Sequence, residues 1–289
     1  MRRGPRGGPG DFDARLARAE KLAAASAAAR EPLLVAMAVL RHQRQRAEEK
    51  LVQSAADAAA SGAAVSTTRG GFPRLYLTTC LFALRDELAL AVGDLAASAP
   101  APLAREGRVL AGLPPVLQAE TIETWLDDPS LVDPRSGFWL GAAAAPILEL
   151  AARAHGPVSD DEWRGAACPM CGGPPQASAI AEESGEFMAG SPRSLVCGRC
   201  ATWWSYPRIT CPSCGEEDPR RAESFLPGDR RWVRVDACET CRGYVKSFDL
   251  REQGAGDVVP LVDDIATLAL DVWAQDRGFT RPTVSLAGV

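Results

Sequence analysis

Apolar residues recur at helical intervals through the first half of the chain. The clearest run is Leu77, Leu81, Leu84, Leu88, Val92 and Leu95, whose steps of four and three lay one continuous stripe along a helix that Pro100 and Pro102 end. Upstream, the stretch from Asp13 to about Arg30 is rich in Ala, Arg and Leu and favours helix on propensity. Pro32 suits the first turn of a second helix, because a proline there forfeits no intrahelical hydrogen bond. Leu33, Met37, Leu40, Ala47 and Leu51 mark one face of that helix, which is expected to run to about Ala60. Residues 61–71 are rich in helix breakers and read as a linker. Val116 to Asp128 predicts a shorter helix carrying Ile122, Trp125 and Leu126. Phe138 to Ala154 predicts another, kinked at Pro146 and stopped by Gly156-Pro157. The first 155 residues thus predict an all-α bundle of five or six helices, with enough apolar burial to fold without a metal.

Beyond residue 160 the pattern changes. Arg193–Val196 and Arg231–Val235 read as hairpin strands between cysteine pairs, and the chain returns to helix over Asp263–Trp273. Ile265, Leu268, Ala269 and Val272 share one face of this last helix, and the aspartates at its start complement the helix dipole. Four Cys-x-x-Cys pairs lie between residues 168 and 241: Cys168/Cys171, Cys197/Cys200, Cys211/Cys214 and Cys238/Cys241. Two intervening residues let a tight turn point both sulfurs at one ion, and two such turns complete a four-thiolate shell, as in zinc ribbons and rubredoxins.

The spacing reveals a duplication. Twenty-five residues separate Cys171 from Cys197 and 23 separate Cys214 from Cys238, but only 10 separate Cys200 from Cys211. The first pair of each unit repeats Cys-Pro-x-Cys-Gly, at Cys168–Gly172 and Cys211–Gly215. Neighbouring pairs are therefore expected to share an ion, the first four cysteines on one and the last four on the other. The fold class that follows is a helical bundle joined to small metal-binding β units. The expected layout is a disordered tail over 1–12, a helical bundle over 13–160, rubredoxin-like or zinc-ribbon-like units over 161–205 and 206–250, and a C-terminal helix and tail over 251–289.

Composition narrows the function. The chain has 289 residues and a formal charge of −5, which disfavours a general nucleic-acid binder. From Arg193 to Arg251 there are 11 basic and 8 acidic side chains, an excess that the −2 of each tetrathiolate divalent site would offset. Regularly paired cysteines in a chain of this length suit metal binding in a reducing cytosol, not a disulfide scaffold. Tetrahedral sulfur ligation suits iron and zinc alike. The ninth cysteine, Cys80, falls in an apolar helical stretch and reads as a buried structural thiol; His42, with no ligand partners nearby in sequence, reads as a core-edge or solvated histidine. Trp203, Trp204 and Tyr206 read as packing residues of a small metal module before they read as a base-stacking platform. No apolar run is long enough to span a bilayer, and no apolar segment follows the basic start.

The carboxyl half resembles the FdhE-type formate dehydrogenase accessory proteins. The resemblance rests on the four cysteine pairs at these spacings, the Arg193-x-Leu-x-Cys197 run, Trp204 and Arg208 before Cys211, and Cys238-x-x-Cys-x-x-Tyr-Val-Lys246. It continues through Val-Asp-Asp-Ile-Ala-Thr-Leu-Ala-Leu-Asp271 and Gly278-Phe279. Two positions depart from the pattern: Ser194 stands where an aromatic is expected, and Trp204-Ser205 where a Trp-His pair is expected. The resemblance implies a cytoplasmic, non-catalytic maturation factor that binds the catalytic subunit of a molybdenum-dependent formate dehydrogenase. It implies two metal ions on the eight cysteines, iron favoured over zinc, no nucleic acid and no membrane insertion; self-association stays open. The alternatives are a zinc-ribbon nucleic-acid adaptor and a rubredoxin-like electron carrier.

Overall fold

The computed structural model describes residues 6–61, 72–159, 162–180, 193–228, 230–252, 254–283 and 285. Seven α-helices occupy the first half of the described chain: α1 Phe12–Ala25, α2 Arg30–Ala47, α3 Lys50–Ser61, α4 Leu81–Leu95, α5 Ala101–Ala111, α6 Pro115–Asp127 and α7 Pro134–His155. Six strands follow, β1 Pro175–Ile180, β2 Arg193–Cys197, β3 Trp203–Tyr206, β4 Ala222–Phe225, β5 Val233–Cys238 and β6 Tyr244–Asp249, and then α8 Pro260–Ala266 and α9 Leu268–Gln275. The expected linker lies almost wholly outside the described residues.

Seven helices exceed the expected five or six for two reasons. The long second helix is interrupted at Glu48 and Glu49, so α2 and α3 are separate. The prolines read as terminators after Leu95 instead start a helix: Pro100 caps α5 and Pro102 sits in its first turn, where the missing N–H is no loss. Pro114-Pro115 starts α6 in the same way. Asp133 caps α7, its carboxylate accepting from Arg135 N at 2.8 Å, and Gly156 closes that helix at φ 83°. Pro146 is accommodated within α7 as a buried residue.

The alanine-rich α7 is the axis of the bundle, packing against α2, α3, α4 and α5. Its Trp139 is fully buried, with Nε1 donating to the Leu103 carbonyl of α5 at 2.8 Å. The opposing position on α5 is Gly107, where a Cβ would lie 2.4 Å from the indole. Buried ion pairs tie the helices across this core. Arg46 grips both oxygens of Glu87 at 2.8 Å, and Arg15 pairs with Glu149. Glu149 also accepts from Gly10 N at 2.8 Å, so the residues just before α1 are packed against α7.

Each metal unit contributes a three-stranded antiparallel meander. The two meanders fuse into one six-stranded sheet of order β3-β2-β1-β6-β5-β4. The seam is the parallel pair β1–β6, which joins the first strand of one unit to the last strand of the other. Nor is the bundle closed on itself. Phe12, Leu16, Leu33, Met37 and Leu40 share a cluster with Val259, Val262 and Ile265, so α8 covers the outer face of α1 and α2.

Gly107→Ala is expected to destabilise the protein. The helix-propensity gain of about 1 kcal/mol is smaller than the roughly 1–3 kcal/mol of overpacking against a rigid buried indole. A urea titration followed by far-UV circular dichroism should show a lowered midpoint with unchanged slope.

Candidate metal centres

All four cysteine pairs adopt the same turn. The first cysteine of each pair takes its N–H partner from beyond the second: Cys168 N donates to Gly173 O at 2.8 Å, Cys197 N to Thr202 O at 2.9 Å, Cys211 N to Glu216 O at 2.8 Å and Cys238 N to Gly243 O at 2.8 Å. Four residues after each first cysteine the backbone turns left-handed, at Gly172 (φ 74°), Ala201 (55°), Gly215 (77°) and Arg242 (58°). The repeated glycine in Cys-Pro-x-Cys-Gly supplies this φ without a Cβ penalty. Backbone N–H groups point back at the sulfurs, with Arg199 N to Cys197 Sγ at 3.3 Å, Ser213 N to Cys211 Sγ at 3.4 Å and Gly243 N to Cys241 Sγ at 3.3 Å.

The sulfurs gather into two sets, Cys168, Cys171, Cys197 and Cys200 in one and Cys211, Cys214, Cys238 and Cys241 in the other, each within 4.8 Å of its fellows. The grouping by neighbouring pairs is therefore as the spacing predicts. Sulfur–sulfur separations are 3.5 Å for Cys168–Cys200 and Cys171–Cys197, and 3.8 Å for Cys211–Cys241 and Cys214–Cys238. A tetrahedron with metal–sulfur bonds of about 2.3 Å has edges of about 3.8 Å, so both sets fit a tetrathiolate ion. Burial, reinforced by the neighbouring cysteines, pushes the Cys168 and Cys200 thiols well up, whereas a bound cation favours thiolates.

The two sets differ in their surroundings. All four sulfur residues of the first are buried and belong to the same apolar cluster as Leu84, Leu88, Trp125 and Trp139 of the bundle. Arg199, between Cys197 and Cys200, reaches across to the end of α6. Its guanidinium donates to the Leu126 carbonyl at 2.9 Å and to that of Trp125, and it lies 4.3 Å above the Trp125 ring. It thereby satisfies carbonyls that a helix end leaves open. Residues 74 and 75 pair with the first turn, Arg74 N to Pro169 O and Leu75 N to Met170 O, both at 2.9 Å. The second set is open, with Cys214 exposed and Cys241 half-exposed.

Trp204 and Tyr206 are buried, Trp204 Nε1 donating to Gly165 O at 3.0 Å and Tyr206 Oη to Cys211 O at 3.2 Å; Trp203 packs half-buried on the other face. They pack into the module. Cys80 is buried, donates to Leu77 O, and has its thiol pushed up to about 11 by burial. His42 is buried against α4, its Nδ1 3.0 Å from Asp94. Ser194 and Ser205, the two departures from the family pattern, are direct cross-strand partners, so they change one local contact together.

What the sequence reading missed lies behind the sheet. Lys246, Asp264, Asp271 and Arg281 form a fully buried ion cluster. Lys246 Nζ lies 2.9 Å from Asp264, donates to the Asp264 carbonyl and pairs with Asp271. Arg281 binds Asp264 at 2.9 Å and Asp271 at 2.8 Å. Tyr244 Oη donates to Asp271 at 2.8 Å and Gln176 Nε2 to Asp264 at 2.9 Å. The neighbouring Asp263 pairs with Arg18 of α1. Asp263 does stand in the first turn of α8, accepting from Val259 N at 2.8 Å as the dipole reading expects, but all three aspartates are also buried ion-pair partners. The predicted apolar face fails for the same reason: Ala269 and Val272 are exposed, and the chain is re-kinked between α8 and α9 at Thr267.

A helical bundle docked on a duplicated, tetrathiolate-ready sheet defines a tandem zinc-ribbon-like protein with an added helical domain. Residues 209–287 match the model of the FdhE C-terminal domain family. An FdhE homologue of Aquifex aeolicus is 35% identical over 121 residues, covering 42% of this chain and 41% of that protein. One from Pseudomonas aeruginosa is 36% identical over 137 residues, covering 46% and 42%. The aligned part is thus about two fifths of these relatives' length. The crystal structure of the FdhE protein from Pseudomonas aeruginosa superposes over 98% of this chain and 97% of its own with a TM-score of 0.63 at 21% identity, so the fold extends through both halves. The resemblance seen in the sequence holds.

Lys246→Met leaves two buried carboxylates facing one guanidinium and is expected to cost roughly 3–5 kcal/mol. Adding Asp271→Asn, which restores charge balance, should recover part of that loss. Urea midpoints of the two variants at neutral pH check this; equal midpoints would mean the cluster does not act as one unit.

Proposed function

We propose that Cys168, Cys171, Cys197 and Cys200 hold one metal ion and Cys211, Cys214, Cys238 and Cys241 a second, and that the chain is a maturation factor for a molybdenum-dependent formate dehydrogenase. In this reading it binds the catalytic subunit in the cytoplasm and catalyses no reaction itself. The observation that carries it is a coincidence of place: the open second sulfur set and the whole buried ion cluster fall inside the segment matching the FdhE C-terminal domain. Among the described residues no helix is long and apolar enough to cross a membrane. Iron is the favoured ion and zinc the alternative, since the donor set accepts both.

The two sulfur sets divide the work by exposure. The first is embedded in the bundle core and fixes the helical half on the sheet. The second presents Cys214 to solvent and is the part of the metal machinery that a client can touch.

Metal analysis of the purified chain should give two ions. Cys214→Ser should lower this to about one and leave the helical circular dichroism nearly unchanged. Cys171→Ser should lower the unfolding midpoint of the whole chain, because its sulfur lies in the shared core. In cells that make formate dehydrogenase, removing the chain should leave the catalytic subunit present but inactive, and the tagged chain should bring that subunit down. Unchanged enzyme activity in the deletion strain would refute the assembly role; a normal complex with Cys214→Ser would refute the part given to the second set.

A further inference from the structure

The helical half carries a groove that neither sulfur set uses. The start of α4 and the turn before it lie beside α6, and between them runs a surface groove of about 460 Å³ lined by Thr78, Leu81, Phe82, Val116 and Ala119. Its apolar side chains are left to water, with Phe82 77% exposed and Val116 68%. Single exposed apolar residues are ordinary, but two large ones flanking one groove form the kind of patch that marks a docking site.

The α6 wall is acidic. Val116, Glu120, Glu123 and Asp127 follow at steps of four, three and four, which places them in one exposed stripe along the helix. Glu120 and Glu123 line the groove, and Asp127 continues the stripe beyond it. None of these three carboxylates has an ion-pair partner among the described residues, and α6 contains no Lys or Arg. Acidic side chains favour the start of a helix, but Asp127 is the last residue of α6, where the dipole opposes it. The stability of α6 therefore does not account for the stripe. Arg85, the one cation among the described lining residues, pairs with Asp86 at 3.6 Å and lies over the Phe82 ring.

We propose that the α4–α6 groove docks a basic amphipathic helix of a partner protein. That helix sets apolar side chains against Phe82 and Val116 and Lys or Arg against Glu120, Glu123 and Asp127. The stripe from Val116 to Asp127 is about 16 Å long at the helical rise of about 1.5 Å per residue, so about three turns of partner helix cover it. The apolar contact supplies affinity, and the exposed charges select the partner and steer its approach. A second copy of this chain is a poor occupant, because a two-fold contact through this face would set its carboxylates against one another. Naming the formate dehydrogenase subunit as the source of the helix rests on the function proposed above; the preference of the groove for a basic helix does not.

The test uses the full-length chain with p-benzoylphenylalanine replacing Phe82 or, separately, Val116, made in cells that produce formate dehydrogenase. Irradiation should join both positions to one helical segment of another protein, and that segment should carry net positive charge. The same photoprobe replacing Leu51, exposed on α3, should not reach it. Made as a synthetic peptide, the segment should bind the purified chain. Combining Glu120→Lys with Glu123→Lys should weaken that binding at least about tenfold by calorimetry, with metal content and circular dichroism unchanged. A peptide whose Lys and Arg are replaced by Glu should instead bind the double variant better than the wild type. Attachment to a second copy, to a segment without net positive charge, or to no protein would overturn the proposal, as would an affinity that charge reversal leaves unchanged. A basic helix from a different protein would keep the groove assignment and count against the client named above. Formate dehydrogenase activity that depends on the chain, with no attachment at either position, would keep that client and sink the groove.

Discussion

The charges buried between β6 and α8–α9 decide how the chain closes. Two carboxylates, an ammonium and a guanidinium with almost no water access are tolerable only when all four are paired, and here each touches a partner of opposite sign. That requirement admits one position for α8 and α9 on the sheet. Once α8 is set, Val262 and Ile265 meet Leu33 and Leu40, and Asp263 meets Arg18, so the last helices seal the first ones. The helical half and the sheet are therefore joined by α8 at one end and, at the first sulfur set, by Arg199 on the α6 carbonyls and by the shared apolar cluster.

Much of this was legible in the chain and some was not, for reasons that can be traced to particular residues. The stripe from Leu77 to Leu95 and the cysteine spacing speak of local geometry, and both were read correctly. The helix over 101–111 was missed because Pro100 and Pro102 look the same whether they end one helix or begin another. The ion pairs of Asp263, Asp264 and Asp271 were not legible because their partners Arg18, Lys246 and Arg281 are not their neighbours in sequence. Arg199 carries no signal beyond being an arginine between cysteines, and Arg193 none beyond its place in the family run; only the folded chain shows that Arg199 caps α6 and that Arg193 lines a cavity.

Duplication usually yields two equivalent modules, yet here the copies have diverged in environment while keeping their turns. The same left-handed residue follows each first cysteine, but the first sulfur set gained a helical wall and the second kept solvent. A metal site inside a shared core is coupled to the stability of everything around it. A site at the surface is free to respond to what binds there.

The parallel seam between β1 and β6 also sets an order of events during synthesis. Strand β1 leaves the ribosome early, but its partner on that side comes only with residues 244–249, the last strand of the second unit. Until then β1 offers an unpaired strand edge of the kind that invites mispairing with other chains. A chain stalled or cut before Tyr244 would keep that edge open, and the late arrival of so central a strand gives the sheet the long-range topology of a slow folder.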